Sequence, residues 1–135
     1  MIVPDASVVV AALVLRSDDR DWAMRTLART RLVAPHLLTV EVTNALRRLR
    51  TAGRIEEDDA VVAIDGLARL PIEFVPYRPF AGRVWDFAGT LTSYDAWYVA
   101  AAERLGAPLA TLDLRLARAP GPVCAFLTPP SADHA

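Results

Sequence analysis

The order of apolar and polar segments predicts an α/β fold, a sandwich with a mainly parallel central sheet of four to five strands. Short apolar runs bounded by proline or aspartate alternate along the chain with longer segments of helical periodicity. The chain has 135 residues, of which 53% are hydrophobic, so it can bury one core. Because no repeat or low-complexity linker interrupts it, we expect a single domain over residues 1–135, with a flexible tail from about residue 128.

The amino-terminal third is predicted to hold two strands and two helices. Residues 2–4 form an apolar run that ends at Asp5, and residues 7–15 continue with apolar residues set too closely for simple alternation. This pattern favours a strand followed by a buried helix. An acidic cluster then opens a helix over about residues 20–30, and residues 31–34 form the next apolar strand, which a proline ends.

The middle of the chain is predicted to form two helices and a third strand. Thr39 has the side chain of an N-cap for a helix that runs to about Ala52, where Gly53 follows as a stop signal. A second helix over about residues 56–70 carries apolar residues at helical spacing and ends before a proline. Residues 72–75, between two prolines, are typical of a strand.

The last third of the chain continues the alternation of helices and strands. Its predicted helices cover residues 80–89, 94–105 and 114–119, and its predicted strands cover residues 108–111 and 123–126. Ser93 and Asp113 have side chains suited to cap the second and third of these helices. With the earlier segments, this makes a βα-type chain with up to five strands.

Charge and composition exclude several kinds of chemistry. The chain has 15 basic and 16 acidic residues, for a formal charge of −1, and it contains no lysine. A P-loop lysine, a Schiff-base lysine and a Ser–Lys dyad are therefore excluded. One cysteine cannot form an internal disulfide, and no apolar run approaches the roughly 20 residues that span a bilayer, so we expect a cytoplasmic protein.

Four carboxylates occupy equivalent places in the predicted fold. Asp5 and Asp113 follow the first and fourth strands, whereas Glu41 and Asp95 lie in the first turns of predicted helices. In an open parallel sheet, such positions converge on one crevice where ligands bind. Carboxylates gathered there repel one another, so each would either protonate or require a cation.

A hard divalent cation, Mg²⁺ with Mn²⁺ as a substitute, suits such a site because neither thiolates nor paired histidines are available for zinc. A metal held by carboxylates supports phosphodiester hydrolysis. A structural interpretation stays open, because an acidic residue at a helix start is also favoured by capping and by the helix dipole.

Other residues carry weaker hypotheses. Arg47, Arg48 and Arg50 form the densest basic run, which is either a solvated helix face or a contact for RNA phosphates. A phosphatase of the haloacid dehalogenase type is disfavoured, because Ser7 stands where its second aspartate is needed. A binding module without catalytic activity, acting as a regulator or scaffold, remains an alternative.

Several motifs in order resemble those of the PIN-domain ribonucleases, in particular the VapC-like toxins of type II toxin–antitoxin pairs. They are IVPDASVVVAAL, TVEVTNALRRL and TSYDAWYVAAAERLGAPLATLDLRLARA, and the similarity extends from residue 2 to about residue 126. The resemblance implies a three-layer α/β/α sandwich and a metal-dependent endoribonuclease toxin. It also implies a homodimer and a small cognate antitoxin that inhibits the toxin.

The resemblance also implies roles for individual residues. It assigns metal binding and catalysis to an acidic quartet, at Asp5, Glu41, Asp95 and Asp113. It assigns supporting roles around that site, such as orienting carboxylates or a metal-bound water, to the polar residues Ser7, Asn44 and Thr111. Leu114 departs from the pattern, since a polar or small residue is often found directly after the last aspartate. The target RNA and its cleavage sequence are not encoded in these motifs.

Overall fold

The structure, a computed structural model, describes residues 1–14 and 16–130. Five short strands and seven α-helices lie within them. The strands are β1 (Val3–Pro4), β2 (Leu32–Pro35), β3 (Ile72–Val75), β4 (Leu109–Ala110) and β5 (Phe126–Leu127). The helices are α1 (Ala6–Val14), α2 (Asp18–Ala28), α3 (Leu37–Thr51), α4 (Glu57–Arg69), α5 (Ala81–Asp86), α6 (Ser93–Leu105) and α7 (Leu114–Ala117), with a 3-10 turn at Arg78–Phe80 before α5.

The strands form a parallel sheet in two hydrogen-bonded parts. β4 lies between β1 and β5, β2 pairs with β3, and every pairing is parallel. A parallel bridge between Ile2 and Leu32 joins the two parts, and Val33 N donates to Ile2 O at 3.1 Å. The strand order is therefore β3-β2-β1-β4-β5, and the order of winding reverses at β1. The predicted α/β fold with a parallel sheet is confirmed, and the carboxyl ends of all five strands point to one edge.

Two groups of helices complete the sandwich. α1 packs against α2, α3 and α4, whereas α6 packs against α5 and against strands β1, β2 and β4. A close approach of α1 and α4 depends on Gly66, because a Cβ there would meet Leu13 Cδ2 at 3.0 Å. α6 ends at Gly106, whose φ of 62° is the left-handed conformation that glycine adopts without strain.

The apolar amino-terminal segment forms the centre of the core. Val3 in β1 and both Val8 and Val9 in α1 are fully buried. α6 contributes a run of small side chains, Ala100 to Ala102, that are at most 2% exposed. Burial on this scale stabilises the fold by roughly 25 cal/mol per Å² of apolar surface. It also fixes the positions at which β1 and α6 present their polar residues.

Two predicted N-caps were wrong. α3 begins at Leu37, because His36 continues directly from β2 in a helical conformation, and the Thr39 hydroxyl donates to His36 O from inside the first turn. Glu41 therefore lies in the second turn of α3. At α6 the cap is Thr92, whose side chain accepts a hydrogen bond from Asp95 N, and Ser93 is the first helical residue.

The fifth strand lies further along the chain than predicted. In the segment before β5, backbone groups form hydrogen bonds with side chains. Glu103 Oε2 accepts a bond from Val123 N at 2.7 Å, and Arg83 donates one to Gly121 O at 3.3 Å. β5 therefore starts only at Phe126. Of the predicted tail, Thr128 and Pro129 are half-buried, and residues 131–135 lie outside the described residues. Within the described ranges, none of the helices has the length and apolar character needed to cross a bilayer.

Candidate active site

Asp5 is the most buried carboxylate at the carboxyl edge of the sheet. It directly follows β1, and it is 9% exposed. Its Oδ1 accepts hydrogen bonds from Ser7 Oγ at 2.5 Å and Val8 N at 3.3 Å, and its Oδ2 accepts one from Thr111 Oγ1 at 2.5 Å. Burial raises the pKa of Asp5 and the negative charge of Asp95 adds to this, whereas the three hydrogen bonds lower it. Neutral groups therefore orient this carboxylate without balancing its charge.

The same two hydroxyls connect the turns that follow β1 and β4. Leu112 N donates to Ser7 Oγ at 3.0 Å, and Asp113 N donates to Thr111 Oγ1 at 2.9 Å. Each hydroxyl thus accepts a hydrogen bond from the turn after β4 and donates one to the carboxylate of Asp5, in the turn after β1. This arrangement holds Asp113 at the same edge as Asp5.

Glu41 faces this edge from α3. The Tyr98 hydroxyl, on α6, donates to Glu41 Oε1 at 2.7 Å across 57 positions of sequence. Burial raises the pKa of Glu41, and the negative charges of Asp95 and Asp5 raise it further, whereas the bond from Tyr98 lowers it. The directions of these shifts show that Glu41, Asp95 and Asp5 share one electrostatic environment.

Asp95 lies in the first turn of α6 and is half-buried. Burial raises its pKa, and the negative charge of Asp113 raises it further. The contact with Thr92 and the positive charge of Arg115 act in the opposite direction. Asp95 is therefore the carboxylate that connects Asp113 electrostatically to the other two.

Asp113 is both a capping residue and a member of the acidic edge. Its Oδ1 accepts hydrogen bonds from Arg115 N at 3.0 Å and Leu116 N at 3.3 Å, so it caps α7 as predicted. Arg115 Nε also lies 3.9 Å from Oδ1, but the Arg115 side chain is 96% exposed. An ion pair this exposed is worth well under about 1 kcal/mol, so it neutralises little of the local charge.

These four carboxylates, here called the acidic cleft, lie at one edge of the sheet without forming a closed ligand set. In residues 1–14 and 16–130, no group of three or more His, Cys, Asp or Glu side chains is close enough to hold a metal ion. Asp5, Glu41 and Asp113 each have an oxygen bound to a protein hydroxyl or amide instead. The donor chemistry fits a hard divalent cation, because a carboxylate oxygen that accepts one hydrogen bond keeps a lone pair for a metal.

The remaining predicted residues lie on the exposed face of α3. Asn44 is exposed, and its Oδ1 accepts a hydrogen bond from Arg47 Nε at 3.0 Å rather than contacting a carboxylate of the cleft. Arg50 pairs with Glu57 at 2.9 Å, and Arg48 is exposed. The structure therefore brings Ser7 and Thr111 into contact with a cleft carboxylate, whereas Asn44 is bound to Arg47 instead.

Two residues of the site were missed from the sequence. Tyr98 binds Glu41, and Thr92 caps the helix that carries Asp95. Tyr98 follows Asp95 by three positions, which places both on one side of a helix, so this spacing could have indicated it. No local pattern connects Tyr98 to Glu41.

Comparison with known protein families identifies the family of this chain. The family model of the PIN domain matches residues 2–122, a range that includes all four carboxylates of the cleft. The chain belongs to the PIN-domain family.

Relatives of this PIN domain include several VapC proteins. Ribonuclease VapC1 of Mycobacterium tuberculosis is 40% identical over 123 residues, which cover 90% of this chain and 92% of the relative. Ribonuclease VapC9 of the same species is 39% identical over 116 residues, which cover 86% of this chain and 88% of the relative. The similarity to VapC-like toxins is thus confirmed over most of the PIN domain.

Solved structures show the same fold. PAE2754 from Pyrobaculum aerophilum superposes with a TM-score of 0.67 at 26% identity, covering 93% of this PIN domain and 81% of that chain. VapBC2 from Rickettsia felis, solved bound to a DNA fragment from its promoter, superposes with a TM-score of 0.62 at 12% identity, covering 95% and 98%. At that identity the second match supports the fold alone.

Proposed function

We propose that this chain is an endoribonuclease toxin that requires Mg²⁺ or Mn²⁺ and is inhibited by a cognate antitoxin. The observation that carries the proposal is the acidic cleft, in which three carboxylates have raised pKa values because of burial and mutual repulsion. A divalent cation would relieve that repulsion. The VapC relatives are named ribonucleases, which supports RNA as the substrate.

Asp5, Glu41, Asp95 and Asp113 would hold the metal. When bound, such an ion activates a water for attack on a phosphodiester and stabilises charge on the phosphate oxygens. The donor set contains oxygen ligands only, which suits Mg²⁺ and Mn²⁺ rather than zinc.

Neutral residues of the protein position these carboxylates. Ser7 and Thr111 hold the two oxygens of Asp5, and Tyr98 holds one oxygen of Glu41. These partners fix the orientation of the carboxylates before metal arrives, so less conformational freedom is lost on binding. Asn44, one helical turn after Glu41, is proposed to contact metal-bound water or RNA once it leaves Arg47.

The antitoxin is proposed to bind the groove between α3 and α4. A cavity of about 270 Å³ there has an apolar side that includes Leu46, Ala60 and Ile64 and an arginine rim that includes Arg47 and Arg50. An amphipathic segment binds such a groove through its apolar face. An acidic residue beside that face would pair with Arg47, since Arg50 already pairs with Glu57.

The proposal includes two further properties, an assembly state that the family resemblance implies and a location that the single cysteine and the absence of a membrane-spanning apolar run in the sequence favour. We propose that the toxin forms a homodimer and acts in the cytoplasm. Sedimentation analysis of the purified chain, alone and with its antitoxin, measures the first of these directly.

The test of the activity is cleavage of end-labelled RNA by purified protein with Mg²⁺, with Mn²⁺ and with a chelator. We expect cleavage with either cation, loss with the chelator, and recovery when the cation is restored. The Asp5→Asn variant should be inactive, and Asp58→Asn, on the exposed start of α4, is the matched control that keeps activity. Cleavage that persists in chelator would contradict the metal requirement, and a wild-type protein that binds no Mn²⁺ and cuts no RNA would favour the alternative of a regulatory or scaffold module.

A further inference from the structure

Two pairs of aromatic side chains lie toward the carboxyl edge of the sheet, on the side of β2 and β3. The rings of His36 and Phe74 are stacked, with centroids 5.4 Å apart and planes 17° apart. The rings of Tyr77 and Trp97 meet edge to face, with centroids 5.6 Å apart. These four residues, here called the aromatic platform, come from the start of α3, from β3 and the turn that follows it, and from α6. Only the fold brings them together.

The platform lies at the same edge of the sheet as the acidic cleft. His36 directly follows β2, and the parallel bridge between Ile2 and Leu32 joins β2 to β1, which Asp5 directly follows. Trp97 lies on α6, the helix that carries Asp95 in its first turn. His36 and Asp5 therefore stand at the ends of neighbouring parallel strands.

The rings of the platform remain open to solvent. Phe74 is 37% exposed and Tyr77 is 45% exposed, and His36 is exposed as well. Trp97 is half-buried, and its Nε1 is the one buried side-chain polar atom without a hydrogen-bond partner within residues 1–14 and 16–130. Large rings left in water beside a candidate site are surfaces on which another planar group can stack.

We propose that the aromatic platform binds the unpaired bases of RNA that flank the phosphate held at the acidic cleft. This inference rests on the proposed function and specifies its substrate as RNA that is single-stranded at the cleavage site. Unpaired bases stack on Phe, Tyr, Trp and His side chains, whereas the bases of an A-form duplex are already stacked on one another. Arg78 directly follows Tyr77 and is exposed, which places a positive charge next to the platform for the RNA backbone.

The test compares single-stranded RNA with a hairpin that contains the same cleavage sequence inside its duplex. Phe74→Leu and Tyr77→Leu keep an apolar side chain but remove the ring, whereas Phe74→Trp and Tyr77→Phe keep a ring. We expect each leucine variant to raise KM for single-stranded RNA about tenfold with little change in kcat, since stacking contributes on that scale per base. The aromatic variants should retain the wild-type KM. Trp85→Leu is the matched control, because Trp85 is 75% exposed on α5 and lies outside the platform.

A second readout does not depend on cleavage. Single-stranded RNA carrying 2-aminopurine should lose fluorescence when it binds wild-type protein, and the leucine variants should reduce that loss. If a leucine variant does not fold, His36→Ala, at an exposed position, replaces it. Equal KM and equal fluorescence for Phe74→Leu, Tyr77→Leu and Trp85→Leu would overturn the platform, as would faster cleavage of the duplex than of the single strand. Failure of the proposed function looks different, because wild-type protein would then cut neither RNA.

Discussion

The two ends of α6 carry acidic side chains in opposite electrostatic states. Asp95 lies in the first turn, where the helix dipole favours a negative charge, and Glu103 lies in the last turn, where the dipole disfavours it. The pKa values shift against this expectation: burial raises the pKa of Asp95, and the hydrogen bond from Arg83 lowers the pKa of Glu103. Side-chain partners therefore outweigh the dipole at both ends.

The difference lies in what faces each carboxylate. Glu103 accepts hydrogen bonds from Arg83 Nε at 2.8 Å, Arg83 Nη2 at 3.0 Å and Val123 N at 2.7 Å. Asp95 instead faces the negative charge of Asp113. At one end the protein balances its own charge and anchors the loop before β5. At the other end Asp95 forms no ion pair within residues 1–14 and 16–130, which is the arrangement that the proposed metal site requires.

Removing the charge of Asp95, at the amino end of α6, should have the largest effect on activity. Asp95→Asn is expected to reduce RNA cleavage by at least about 100-fold, because even the partners of metal ligands contribute 10- to 100-fold. Calorimetric titration should show that Mn²⁺ binding is lost along with cleavage. Glu103→Gln, at the other end of α6, should retain the cleavage rate of each folded molecule. Equal losses in the two variants would contradict the distinction between the ends.

Adding the proposed cation should stabilise the protein. At a free Mn²⁺ concentration of 100 times its Kd, the free energy of unfolding should rise by about 2.7 kcal/mol. Denaturant unfolding with and without Mn²⁺ measures this rise, and the Asp95→Asn variant should show little of it. A similar rise in both proteins would indicate that Mn²⁺ binds away from the acidic cleft.

Removing the charge of Glu103, at the carboxyl end of α6, should reduce the stability of the protein and change how that stability depends on pH. Glu103→Gln is expected to lower the free energy of unfolding by about 2 kcal/mol near neutral pH, on the scale of a hydrogen bond to a charged group. Because the pKa of Glu103 is lowered in the folded protein, its contribution is fully present above the unfolded pKa of about 4.3 and is lost as the pH falls through the folded value.

Urea unfolding at several pH values between 7 and 3 therefore tests the sign. The difference between wild type and Glu103→Gln should be largest near neutral pH and shrink below about pH 4. A difference that grows on acidification would show that Arg83 does not stabilise the charged form of Glu103.

A smaller effect is expected from the hydroxyl that orients Glu41. Tyr98→Phe should lower the free energy of unfolding by about 1 kcal/mol, since it removes one hydrogen bond from a buried side chain. Mn²⁺ affinity should fall by about tenfold, because Glu41 loses the partner that fixes its orientation. Unchanged affinity would mean that Glu41 reaches the metal without help from Tyr98.

Local sequence patterns were sufficient where a segment's burial decided its structure. The apolar run after Met1 predicted a strand and a buried helix, and Val3 and Val8 are fully buried there. The cap at Asp113 was also predicted, because its bonds join neighbouring residues. The caps at Thr39 and Ser93 were wrong, because neighbouring residues with similar capping chemistry compete and backbone geometry selects between them.

The sequence by itself determined the α/β class, the parallel strands and the positions of Asp5 and Asp113 after β1 and β4, because these follow from burial and turn chemistry within short windows. Only the tertiary structure decided that Tyr98 binds Glu41, that Glu103 is balanced by Arg83, and that His36 stacks on Phe74. These contacts join residues 20 or more positions apart, so they depend on how the sheet and helices pack. Electrostatic interactions and ring stacking act over a few ångströms of space, and no local pattern in the chain records that distance.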